Sequence, residues 1–69
     1  MRLTRKSMFS GIEHTLDVPG LTKETWLLYR ATYPRPLIQD AFPGIAKEWR
    51  EFMKTGVTPD EWRAQFGGF

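Results

Sequence analysis

The stretch from Ile45 to Phe66 constrains this chain most, because its local signals agree on a helix, a sharp turn and a second helix. Ile45, Trp49, Phe52 and Met53 follow one another at the spacing of a single helical face. Lys54 places a cation in the last turn, where the helix dipole is negative. Gly56 comes next, where a helix end favours a residue that takes positive φ without strain. Thr58-Pro59-Asp60-Glu61 then opens another helix. Thr58 is the cap, Pro59 suits the first turn, and Glu61 is the returning partner of a capping box. Trp62 and Phe66 lie one turn apart on that helix, and Gly67 ends it.

Upstream, residues 2–9 and 12–18 read as the arms of a β-hairpin across 2–18, with Ser10-Gly11 at the turn. Ile12, His14, Leu16 and Val18 share one face of the second arm, which should be buried. Pro19-Gly20 ends the hairpin, and Thr22 caps a helix over 23–31 with Leu21 as its hydrophobic staple toward Trp26. Tyr33-Pro34-Arg35-Pro36 is an extended linker, because residues before proline avoid helical backbone. A short helix over 37–42 stops at Pro43-Gly44, and helices over 45–55 and 59–66 complete the chain. The expected fold is α+β: one small domain over 1–69, an N-terminal β-hairpin followed by three to four short α-helices. Its expected core is Ile12, Leu16, Trp26, Leu27, Ile38, Phe42, Ile45, Trp49, Phe52, Val57, Trp62 and Phe66.

A chain of 69 residues without cysteine has neither disulfides nor zinc–thiolate sites to supplement its core. Its 3 Trp, 5 Phe and 2 Tyr are the available compensation. The net charge of +2 does not demand nucleic acid. No apolar run approaches a membrane span, and no apolar signal region follows the basic residues 1–8, so a cytoplasmic protein is expected.

Three constellations suggest function. Residues 54–63 resemble the turn and recognition helix of a helix–turn–helix DNA reader. Against that, Phe52 is bulky where such helices cross closely, and Glu51 and Thr55 are polar where apolar residues belong. Asp60 and Glu61 would also repel phosphate, so a packed helix pair is the simpler reading. Arg2, Arg5 and Lys6 could grip a nucleic-acid backbone with Phe9 stacking a base, and the plainer alternative is a solvated edge strand. The aromatic load is the third: among Trp26, Tyr29, Tyr33, Trp49, Trp62 and Phe69, rings left outside the core would form a recognition patch with nearby arginines. His14, the only histidine, has Ser7, Ser10 and Asp17 close in sequence, but no nucleophile motif and no second histidine for a metal pair. No catalytic residue, metal ligand or cofactor is therefore assigned, and the chain reads as a non-enzyme.

Arg5-Lys6-Ser7, Ser10-Gly11, Gln39-Asp40-Ala41-Phe42-Pro43 and the run Arg50-Glu51-Phe52-Met53-Lys54-Thr55-Gly56-Val57-Thr58-Pro59-Asp60-Glu61-Trp62 together carry a resemblance. The chain is similar across nearly its whole length to small uncharacterised bacteriophage-encoded accessory proteins. It departs from them in a longer, proline-rich middle segment at 29–36, and it lacks a polar cap after Pro43. The resemblance implies a phage accessory role in the host cytoplasm and carries over no reaction, cofactor or functional residue. The expected function is a non-catalytic module that binds and inhibits a host protein through Trp26, Tyr29, Arg30, Tyr33 and Arg35. The alternatives are a nucleic-acid binder using Arg2, Arg5 and Lys6 or the helix–turn–helix-like unit, and a virion subunit.

Overall fold

The computed structural model describes residues 1–67 and is α+β: a two-stranded antiparallel hairpin followed by four helices. The strands are β1 (Arg2–Lys6) and β2 (Glu13–Asp17), and the helices are α1 (Lys23–Ala31), α2 (Ile38–Ala41), α3 (Lys47–Thr55) and α4 (Pro59–Phe66). Helix α3 is the hub, touching β1, α2 and α4. Among the described residues, no helix is long and apolar enough to cross a membrane.

The bend between α3 and α4 follows from three local choices. Gly56 adopts φ 78°, in the left-handed region, and its N–H closes the helix on the Phe52 carbonyl. A side chain at Gly56 would collide with the backbone carbonyl of Lys6, so this glycine also lets β1 pass against the end of α3. Thr58 then restarts the chain. Its Oγ1 accepts from the Glu61 N–H at 3.1 Å, and the Glu61 carboxylate accepts from the Thr58 N–H at 3.0 Å.

The hairpin pairs Arg2 with Asp17, Leu3 with Leu16, Arg5 with His14 and Lys6 with Glu13. Both arms are shorter than expected, since residues 7–12 form a wider turn than Ser10-Gly11 alone. Buried Ser7 organises it: its Oγ accepts from the N–H groups of Phe9 and Ser10, and its carbonyl accepts from Gly11. The Met8 N–H reaches the Thr55 carbonyl, tying the turn to the end of α3.

The core gathers Leu3, Val18, Leu21, Trp26, Phe42, Ile45, Phe52 and Met53, and Val57 is buried at the bend. Several expected core residues lie elsewhere. Ile12 is exposed because it falls in the wide turn, and Leu27 because α1 buries one side only. Phe66 is exposed at the far end of α4. Leu16, Ile38, Trp49 and Trp62 are half-buried. Leu3, Val18, Leu21 and Met53 take the space, the first because β1 turns Leu3 and Arg5 inward and Arg2, Thr4 and Lys6 outward. Helix α2 is only four residues, Ile38–Ala41. Ile45 precedes α3 rather than starting it, because the helix is capped at Ala46.

Candidate functional site

Two of the clefts on this framework are lined by four or more charged side chains. The larger, about 510 Å³, lies where β2 meets the starts of α3 and α4, and includes His14, Trp49, Glu48, Asp60, Glu61 and Arg63. Its charges are engaged with one another. Arg63 bonds Glu48 at 2.9 Å and Asp60 at 3.1 Å. The Thr58 N–H holds the Glu61 carboxyl below its ordinary range, against the raising effect of partial burial, and Ser10, Ser7 and His14 add to the lowering. His14 Nε2 lies 3.8 Å from the Glu61 carboxylate, and it is buried without a hydrogen-bond partner.

Ser7, Ser10 and His14, already close in sequence, thus meet Glu61 here, and not the nearer Asp17. Their order matters: the hydroxyls support the carboxylate, and that carboxylate caps α4. A relay would need a hydroxyl on the imidazole, with the carboxylate behind it. Among the described residues no cluster of three or more His, Asp or Glu side chains is placed to hold a metal ion.

The second cleft, about 270 Å³, is bounded by β1, α1, the proline linker and the end of α3. Arg5, Arg30, Arg35 and Lys54 supply its charges, and Trp26, Tyr29, Ile38 and Met53 its walls. Arg30 stacks over the Trp26 ring at 5.9 Å and Arg35 over the Tyr29 ring at 5.7 Å. Arg35 also donates to the Arg30 carbonyl at 3.2 Å. Arg5 donates to the Lys54 carbonyl at 3.3 Å, at the negative end of α3. Tyr29, Arg35 and Lys54 continue into a groove of about 210 Å³ with Pro36, Leu37, Ile38 and Gln39. Tyr29 and Pro36 continue into another of about 250 Å³ with Leu28, Thr32, Ala41 and Phe42.

The five candidate partner residues are therefore divided. Trp26, Tyr29, Arg30 and Arg35 converge on one cleft, with buried Trp26 as part of its wall. Tyr33 stands apart, 95% exposed on the linker. The three basic residues of the N-terminal arm do not act together. Arg2 and Lys6 face outward opposite Asp17 and Glu13, while Arg5 turns inward to the second cleft. Lys54 is a lining residue that sequence reasoning assigned only to helix-end electrostatics.

A separate aromatic group, Phe9, Trp62 and Phe66, gathers between the hairpin turn and α4, with centroids 4.7–6.2 Å apart. Phe69, counted among the possible surface rings, lies outside the described residues. Comparison with protein-family models, curated proteins and solved structures finds no match to this chain.

Proposed function

We propose that this protein is a small non-catalytic module that binds another protein along the surface formed by α1, the proline linker and α2. The observation that carries this reading is Tyr29, a shared wall of three adjoining clefts. Leu28, Tyr33 and Leu37 are exposed on the same segment, so a ring and aliphatic groups stand together near fixed arginines. Aromatic and arginine anchors in a concave surface are the usual centre of protein recognition. On the resemblance to phage accessory proteins, the partner we propose is a host protein in the host cytoplasm, which the module modulates by occupying its surface.

The nucleic-acid alternative has less behind it. Arg2 and Lys6 face acids across the hairpin, and the first turn of α4 carries Asp60, whose side chain is 96% exposed, and Glu61. An affinity pull-down from bacterial lysate at low salt tests the preferred reading. One protein should be retained by the native chain and by Lys6→Ala, and lost with Leu28→Asp/Leu37→Asp. Equal recovery with the double variant, or no recovery at all, would count against the groove.

A further inference from the structure

We propose that the cleft of Arg5, Arg30, Arg35 and Lys54 is an anion pocket that receives the carboxylate of an acidic residue flanked by apolar ones on the partner. This rests on the protein-binding reading and names what that surface selects. The argument begins with charge. Four cations line a space of about 270 Å³, and no acidic residue lines it. None of the four forms an ion pair with a carboxylate among the described residues. Arg2, Lys6, Lys23, Lys47 and Arg50 are likewise in no ion pair among the described residues, whereas Arg63 is shared by Glu48 and Asp60; what sets the cleft apart is that it gathers four such cations around one space. Like charges around a small cleft repel, and an entering anion removes that repulsion.

The arginines are also prepared for an anion. Arg30 over the Trp26 ring and Arg35 over the Tyr29 ring are held by cation–π contact, which uses none of their N–H groups on a carboxylate. Arg35 and Arg5 are tethered further by the Arg30 and Lys54 carbonyls. Arg5 Nε is buried and has no hydrogen-bond partner. Donors already held in place lose little rotamer freedom when a carboxylate arrives.

The adjoining surface decides between a protein carboxylate and a nucleic-acid phosphate. The first adjoining groove keeps Arg35 and Lys54 on its edge and adds Pro36, Leu37 and Gln39, and the next adds Thr25, Leu28, Thr32, Ala41 and Phe42, so neither brings a cation beyond the four of the cleft. A phosphate backbone would need cations continuing along its path. Aliphatic walls beside one cationic pocket instead suit an acidic side chain with apolar neighbours.

Nitrogen-15 NMR titration of the full chain tests this, following backbone and arginine Nε–H signals. The probes are an end-blocked peptide of alternating leucine and glutamate, its leucine–glutamine counterpart, inorganic phosphate, and a single-stranded DNA oligonucleotide. The glutamate peptide should shift the Arg5, Arg30 and Arg35 Nε–H signals. Its affinity should fall about tenfold or more in Arg30→Gln/Arg35→Gln, and the glutamine peptide should bind about tenfold or more weaker. The exposed positions of both arginines make the double variant suitable, and its own spectrum reports whether it is folded.

Equal binding of both peptides, with shifts at Leu28 and Leu37 only, would overturn the anion pocket and leave the groove standing. Binding of neither peptide at any residue would remove both readings. Phosphate shifting the arginines while the glutamate peptide does not, or DNA binding there more tightly than that peptide, would overturn the protein carboxylate as occupant.

Discussion

The α3–α4 pair and the α1–linker–α2 segment use the same kinds of residue to different ends. In the first, the polar groups around the bend are engaged by the fold: Thr58 and Glu61 cap α4, Arg63 joins two acids, and Gly56 admits the β1 backbone. In the second, α1 buries only Trp26, α2 buries no residue, and arginines lie on aromatic rings without a carboxylate. The larger cleft belongs to the first region and the cationic cleft to the second. Cavity size is therefore the poorer guide here, because a polar group engaged in holding the fold has little left to offer a ligand.

The comparison breaks most sharply at Gly56. Alanine there meets two penalties, a left-handed backbone at φ 78° and a collision with the Lys6 carbonyl. The backbone term alone costs about 1–2 kcal/mol, and the collision forces β1 from the end of α3. A total of roughly 3 kcal/mol or more is expected, against about 3–10 kcal/mol of stability for a domain of this length. Urea denaturation followed by circular dichroism should show the Gly56→Ala midpoint far below that of the native chain. Gly44→Ala is the control, since nothing lies within 4 Å of its added carbon and its φ is not positive. A Gly56→Ala midpoint equal to that of Gly44→Ala would mean that the bend is not the fold's pivot.

Why one region was legible in the sequence and the other was not follows from distance along the chain. Capping links residues three apart, so Thr58 with Glu61 and Thr22 as the start of α1 could be read directly. Even there Thr25, not an acid, closes the α1 box. The α+β class followed from the order of such local signals. The cationic cleft did not, because Arg5 and Lys54 are 49 residues apart and meet only after β1 docks on α3. Sequence reasoning placed Arg5 with Arg2 and Lys6, whereas strand alternation sends it to the opposite side. Likewise the width of the 7–12 turn depends on Met8 reaching Thr55, which no local pattern announces.

The two threonine caps sharpen the same contrast at smaller scale. Thr58 is buried and Thr22 is exposed, although both accept from the N–H three residues on, at 3.1 Å and 3.2 Å. Thr58→Ala should cost about 2 kcal/mol, at the upper end for caps, because the Glu61 N–H loses a partner that water replaces poorly. Thr22→Ala should cost about 1 kcal/mol or less. Urea midpoints at unchanged slope measure both. The reverse order would place the rigid half of the molecule at α1.

The smallest effect separates the regions by pH. The Glu61 carboxyl is held below its ordinary value of 4.5, first by the Thr58 N–H, with Ser10, Ser7 and His14 adding to the effect. A carboxyl depressed in the folded state binds its proton more readily in the unfolded chain. Its stabilisation is therefore fully present above the unfolded value and is lost as pH falls through the folded one. Glu61→Gln keeps a carbonyl acceptor for the Thr58 N–H but cannot titrate. The native chain should be the more stable at neutral pH, and the difference should narrow as pH falls below about 4.5. Arg30→Gln/Arg35→Gln should leave the acid limb parallel to that of the native chain, because arginine keeps its charge throughout that range. Urea midpoints between pH 7 and 3 measure both. A Glu61→Gln curve parallel to the native one would show that the fold does not prefer the ionised carboxyl. A steeper or shallower limb in the arginine variant would show that its cleft is coupled to the folding charges, and the two regions would no longer be distinct.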